Sequence, residues 1–378
     1  MSIIFGADIV PTEKNIEQFK SGDTEYLVGK ELLNELADAD FRVFNLETPL
    51  VNHLSPINKV GPALGADAGA AYGLKKLGID LVTLANNHIL DHGEQGLLHT
   101  QRVLSENGID YFGVGETNQK ASKPYIYTDV NGKRIGIYAC VEHEFSITED
   151  GILGANPFDA LESFDHVAAL KKQCDFCVVL YHGGKECYRY PSPDLQRVCR
   201  KFVDCGSDMV ICQHTHCIGC EEKYKNSVIV YGQGNFLFDK VNNEYWETGL
   251  LIRLENDFSL SYIPVKKDGN KVRKAEKSEA EHILSDFNKR SESIKKSEFI
   301  QKKYDEFSND MLYKYFLAFS AMQSNIFNRI LNKITNHRYG KWVMKKRYNS
   351  QRSYELQNYM ECEAHRELFL NGVKNIRK

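Results

Sequence analysis

Six short segments of this chain end in residues able to hold a metal ion or a phosphate. They are Asp8 in "GADIV", Asn45 and Glu47 in "FNLETPL", Asn86, Asn87 and His88 in "LANNHILD", His182 in "VVLYHGG", His214 and His216 in "ICQHTH", and Asn235 in "GQGNF". Singly, each is an ordinary cap or loop residue. Together they suggest a shared site, in the order that two-metal phosphoester hydrolysis calls for: an early Asp, a second carboxylate, an Asn-His pair, an isolated His and a His-x-His. In such chemistry two divalent ions about 3.5–4 Å apart share a bridging ligand. Carboxylate, imidazole and amide oxygen donors suit zinc, manganese or iron. A histidine near the leaving group donates a proton and is oriented by a carboxylate.

The elements that must position these groups are legible as well. Residues 1–265 alternate short apolar runs with helical patterns. "SIIFGAD", "FRVFNLE", "DLVTLANNH", "RIGIYAC", "DFCVVLYHGG", "DMVICQHTH" and "SVIVYGQGNFLF" read as buried strands that exit into polar clusters. Asp67–Leu77, Gln95–Asn107 and Pro193–Cys205 read as helices, and "GLLIRLEND" with "FSLSYIPV" as a closing hairpin. This is an α/β pattern, and in such folds functional groups gather beyond the carboxyl ends of the strands.

The net charge of −3 over 378 residues conceals an asymmetry. Residues 266–378 hold 25 Lys and Arg against 14 Asp and Glu, whereas 1–265 hold 23 against 37. No proline follows Pro264, and only Gly269, Gly340 and Gly372 lie beyond it. The reading is a domain over 1–265 and a basic helical extension over 275–378. In the extension, Phe299, Tyr304, Phe307, Leu312, Tyr315, Phe319, Met322, Ile326 and Ile330 recur at the spacing of an amphipathic helix or helix pair. "KWVMKKRYNSQR" is a basic cluster: a solvated helix face, or a contact for anionic lipid or polymer. No motif for reading nucleic acid is visible. Neither a signal peptide nor a run of ~18–20 apolar residues is seen, so the expectation is a cytoplasmic protein with any membrane association left to the tail or to partners.

Ten cysteines include Cys174-x-x-Cys177 and Cys217-x-x-Cys220. Most lie at apolar positions of strands and helices, where free cysteine packs as a small hydrophobe. An accessory metal or redox role is left open for Cys217 and Cys220. His53, His143, His166 and His282 lack a partner at motif spacing, and His92 reads as a surface residue.

The segments "GADIV", "FNLETPL", "LANNHILDHGEQGL", "YHGGKECYRYP", "VICQHTHCIGCEEKY" and "VIVYGQGNFLFD" resemble the CapA family of poly-γ-glutamate capsule proteins, a branch similar to calcineurin-like metallophosphoesterases. The resemblance covers roughly residues 2–265. It implies a four-layer α/β/β/α metallophosphoesterase-like sandwich followed by a C-terminal helical extension. It implies one or two divalent ions, manganese, zinc or iron, with Asp8, Asn87, His182, His214 and His216 as ligands and Asn45 or Glu47 in the bridging region. His88 would be the general acid, with Asp91 orienting it. Asn86, Glu186, Glu221 and Asn235 would serve the substrate, Asn235 within a site-wall turn of Gly234-Asn235-Phe236. The implied role is in capsule or exopolymer biosynthesis, as a hydrolase or as a non-catalytic metal-binding member of a synthesis complex. An anionic polymer or phosphoester would be the substrate. One departure stands out. The wider pattern has Asp-x-His at the first strand, and here Ile9 and Val10 follow Asp8, so one metal position is expected to be weakened or held differently.

Overall fold

The computed structural model describes residues 1–149, 151–239, 243–296, 298–320 and 325–376. The chain divides into two units, Met1–Gln301 and Lys302–Lys378. In the first unit the chain lays down β1 (Ile3–Val10), β2 (Phe41–Leu46), β3 (Leu81–Thr83) and β4 (Asp110–Phe112) as a parallel ladder. It then builds a second sheet from β5 (Tyr125–Thr128), β6 (Arg134–Val141), β7 (Phe176–His182), β8 (Met209–Gln213), β9 (Glu221–Tyr224) and β10 (Ser227–Val230). It returns to the first with β11 (Asn235–Phe238), β12 (Thr248–Leu254), β13 (Leu260–Asp268) and β14 (Lys271–Lys274). The first sheet runs β14-β13-β12-β1-β2-β3-β4 with β11 also paired to β1, and the second runs β9-β10-β8-β7-β6-β5.

Alternation of side chains along each strand assigns the faces. Ile3, Phe5, Val43 and Ile252 of the first sheet share one core with Ile137, Val178, Leu180 and Ile211 of the second, so the sheets pack face to face. The outer face of the first, with Ile4, Phe44 and Val82, is covered by α1 (Ile16–Ser21), α2 (Thr24–Ala37), α3 (Ala70–Lys76) and α4 (Gly93–Glu106). The outer face of the second, with Tyr138, Val179 and Val210, is covered by α5 (Ser163–Lys171) and α6 (Pro193–Asp204). The result is the expected α/β/β/α layering. Helix α6 shows why the local sequence reads so clearly: Ser192 Oγ accepts from Leu195 N at 3.1 Å, and Pro193 opens the first turn, where its missing N–H costs nothing.

Two elements differ from the sequence reading. "SVIVYGQGNFLF" is two strands in different sheets, β10 and β11, because Gly232 and Gly234 take φ of 132° and 76° between them. The first unit also extends past residue 265: β13 runs through Asp268, and α7 (Lys277–Ser293) inserts Ile283 and Phe287 into the inter-sheet core. The second unit comprises most of α8 (Phe299–Phe319), then α9 (Ile326–Ile334), α10 (Arg338–Arg347), α11 (Ser350–Glu361) and α12 (Glu363–Ile376). Its small core is Leu317 and Met344 with Tyr313, Phe316, Tyr339, Val343 and Tyr348. Met322 lies outside the described residues. No helix among the described residues is long and apolar enough to cross a membrane.

Candidate metal centre

Parallel pairing brings the strand ends to one place. Asp8 stands opposite Asn45 on β2 and opposite Asn235 on β11. His182 closes β7, in register with Val141 at the end of β6 and Gln213 at the end of β8. The loop after β8 then presents His214 and His216, both in the left-handed region at φ of 79° and 53°. That conformation is costly for a non-glycine residue and persists only where the surrounding structure imposes it.

Two donor groups form among the described residues. Glu47, His182 and His214 make one, and Asp8, Glu47 and His216 make the other, with ligand atoms in each group within 4.8 Å of one another. Glu47 belongs to both. All five residues are buried. Asp8 Oδ2, both Glu47 carboxylate oxygens and His214 Nδ1 have no hydrogen-bond partner, although Glu47 Oε1 lies 3.2 Å from His182 Nε2 and Asp8 Oδ2 lies 3.7 Å from His216 Nδ1. Orphaned acceptors of this kind are rare in a folded interior. Their convergence fits a cation, and the oxygen and imidazole donor set, free of thiolate, fits a divalent ion of the zinc, manganese or iron kind.

The electrostatics agree. Burial, with the Glu47 charge beside it, pushes the Asp8 carboxyl up to about 7. Burial pushes Glu47 up to about 8, opposed by His88 and assisted by Glu186. Burial lowers His182 and holds His214 well below the usual histidine range, with His182 and His216 adding to the second shift. Burial here keeps the imidazoles neutral, as metal ligation needs, and a cation would favour the ionised form of the two acids that burial opposes.

Beside the donor groups lies a proton-handling cluster. His88 Nδ1 donates to Asp91 Oδ2 at 2.6 Å. Asp91 also accepts from Lys59 Nζ at 2.5 Å and from Leu64 N at 2.6 Å. Lys59 Nζ stands 3.4 Å from His88 Nδ1, and its side chain is only 3% exposed.

The structure brings together most of the residues read from sequence. Asn87 Oδ1 lies 3.0 Å from His182 Nε2, while its Nδ2 donates to Glu144. Asn86 donates to Asn45 Oδ1 at 3.0 Å, and Asn235 Oδ1 lies 3.0 Å from His216 Nδ1. Glu186 is exposed, yet its charge reaches Glu47. Asn45 is held by its neighbours: Nδ2 donates to Asp8 Oδ1 at 2.8 Å and lies 3.3 Å from His182 Nδ1, and its oxygen accepts from Asn86, while Glu47 is the acid common to both donor groups. Glu221 leaves the site: the chain has turned into β9, where Tyr262 Oη donates to its carboxylate and Ser291 Oγ accepts from its backbone N–H. His92, read as a surface residue, is buried, with Nδ1 accepting from Ser55 N at 2.8 Å. Cys174, Cys177, Cys199, Cys212, Cys217 and Cys220 are free thiols in the core, and no described cysteine joins a donor group.

Sequence reasoning missed Lys59, Glu142, Glu144 and Trp246. Glu142 accepts from Gly184 N at 3.1 Å, bracing the loop after His182. Glu142 and Glu144 directly follow β6, so the strand-end rule that found the others would have found them. Lys59 sits in the Gly- and Pro-rich "SPINKVGPALG" and carried no spacing signal. Trp246 lies against the His216 ring, centroids 4.2 Å apart, from a segment far along the chain.

The family model of the bacterial capsule synthesis protein PGA_cap matches residues 2–240. The capsule biosynthesis protein CapA of Bacillus anthracis is 33% identical over 183 residues, 47% of this chain and 44% of that protein. The PGA biosynthesis protein CapA of Bacillus subtilis is 30% identical over 169 residues, 44% of each. The chain therefore spans about half the length of these relatives. A solved structure of a hypothetical protein from Thermus thermophilus superposes with a TM-score of 0.46 at 14% identity, over 71% of this chain and all of that one.

Proposed function

The chain belongs to the PGA_cap family of bacterial capsule synthesis proteins, and from that premise we propose that it is a divalent-metal-dependent hydrolase acting in capsule or exopolymer biosynthesis. The observation that carries the reading is Glu47, one buried acid with two unsatisfied oxygens that belongs to both donor groups. Glu47, His182 and His214 would hold one ion, and Asp8, Glu47 and His216 a second. When bound, such ions polarise a phosphoryl or acyl oxygen and activate water.

The chain's own residues supply the rest. Asp91 accepts the hydrogen bond from His88 Nδ1–H and so orients the imidazolium, whose Nε2–H would be handed to a leaving group. Lys59 neutralises Asp91 and keeps that carboxylate aligned. Asn45 orients Asp8, and Asn86 orients Asn45. The substrate class is an anionic polymer of the poly-γ-glutamate or polysaccharide kind, or a phosphoester intermediate of its synthesis, a reading supported by the capsule and PGA roles named for the relatives.

The second reading is a metal-binding but non-catalytic member of a polymer synthesis complex. Val10 favours it, because this buried apolar residue stands two positions after Asp8, where the wider phosphoesterase pattern supplies a histidine ligand. Elemental analysis combined with assays of a phosphodiester and a phosphomonoester in added Mn²⁺ separates the two. The enzyme reading expects bound metal that Glu47→Gln removes, and turnover that His88→Ala lowers by roughly 10²–10⁴-fold with metal retained. Metal without His88-dependent turnover selects the second reading, and a chain that binds no metal overturns both.

A further inference from the structure

We infer that α9 and α10 of the second unit form a patch that lies on an anionic lipid bilayer. The inference is independent of the metal centre. From Met311 to Tyr354 the sequence holds nine Lys and Arg and not one Asp or Glu. Within that stretch α9 buries no residue. Ile326, Phe327, Ile330 and Ile334 fall on one face at helical spacing, and their exposure runs from 53% to 75%. Trp342 on α10 is 56% exposed and shares a groove of about 760 Å³ with Ile334, Arg338 and Tyr339. Lys346 Nζ lies 4.4 Å from the Trp342 ring centroid, so an aromatic anchor and a cation stand together.

This apolar stripe is not unfinished core. The unit's own core is built without α9, from Val343 and Met344 of α10 against Phe316 and Leu317 of α8. The corner between α9 and α10 is tightly built. Gly340 N donates to Asn332 Oδ1 at 2.9 Å, and a Cβ at Gly340 would collide with the Tyr313 hydroxyl. A defined corner therefore holds Ile, Phe and Trp side chains outward among cations.

The mixture selects the occupant. A second copy docking through this face would set two acid-free basic surfaces against each other, which costs free energy. A soluble polyanion offers the cations a partner but gives the Ile and Phe stripe no apolar phase. A bilayer with anionic headgroups offers both, and a basic amphipathic helix lies in such an interface without spanning it.

Vesicle flotation with the full chain tests this, comparing phosphatidylcholine vesicles with and without phosphatidylglycerol. The chain has two tryptophans, and Trp246 is buried, so the emission change on binding reports Trp342. Expected is phosphatidylglycerol-dependent flotation that added salt weakens, with a blue shift that Trp342→Phe removes. Ile330→Glu with Ile334→Glu should abolish binding. Lys341→Glu, Lys345→Glu and Lys346→Glu together should weaken it by roughly 100-fold or more, at about fivefold per charge. All five positions are on the surface or half-exposed, and circular dichroism checks that the variants fold. Equal flotation on neutral vesicles, undiminished binding by both variants, or a dimer that Ile330→Glu dissolves without vesicle binding would each overturn the inference.

Discussion

Asp91 is fully buried and accepts from three donors, Lys59, His88 and Leu64 N. Lys59 is its charge partner, and breaking a buried pair from one side costs about 3–5 kcal/mol. Lys59→Met should therefore lower thermal stability by about that amount and reduce turnover, while bound metal is unchanged because Lys59 touches no donor atom of either group. A loss of metal in that variant would show that the two clusters are not separable. The acids carry a second expectation. Asp8 and Glu47 sit at about 7 and about 8 in the metal-free chain, raised above their ordinary 3.8 and 4.5. The folded chain thus keeps protons that the unfolded chain has released, so these two groups make metal-free stability fall as pH rises from about 4 to about 8. Metal must displace those protons. The stabilisation given by Mn²⁺ or Zn²⁺, about 2.7 kcal/mol at a hundredfold excess over Kd, should grow as pH rises through 7 to 8. Thermal melts with and without metal across that range check it, and a pH-independent shift would exclude both acids as ligands.

At the scale of elements, the passage from β10 to β11 decides whether the centre is complete. It carries the chain from one sheet to the other and delivers Asn235 beside Asp8 and His216. Gly232 makes the passage possible at φ of 132°, where a Cβ would come within 2.7 Å of both Cys217 O and Thr215 Oγ1. Gly232→Ala should cost about 1–3 kcal/mol or more of strain. It should also displace the His214–His216 loop, so that metal content falls together with melting temperature. A destabilised variant with full metal content would show that the loop holds its shape without this turn.

For the whole molecule, the basic extension read from composition and the compact units differ in their boundary. Ile283, Phe287, Ile294 and Ile300 are all buried in the cores of the first unit. At about 1.5–3 kcal/mol for each large apolar side chain, they contribute roughly 6–12 kcal/mol, which is comparable to the entire stability of a domain. A chain ending at Gln301 should stay folded with its metal and free of aggregate, whereas one ending at Lys274 should aggregate. Size-exclusion chromatography and circular dichroism distinguish the two, and a well-folded chain ending at Lys274 would contradict the assignment of α7 to the core.

The sequence by itself determined the layers and most of the centre. Buried parallel strands are continuous apolar runs, and the polar residues at their carboxyl ends, Asp8, Glu47, Asn87, His182, His214 and His216, stand out against them. Local chemistry also marked α6, through Ser192 and Pro193. Tertiary structure decided the rest, because pairing between distant segments leaves no local pattern. That Asn86 and Asp8 engage Asn45 while both Glu47 oxygens are left without a hydrogen bond depends on the fold, and Glu221 is lost to the site only because β9 turns toward Tyr262. Lys59 reaches Asp91 across a Gly- and Pro-rich loop. Gly232 and Gly234 carry the chain between sheets within what reads as one strand. The amphipathic period of α9 was visible in the chain, but that its apolar face stays uncovered follows only from where Leu317 and Met344 place the core.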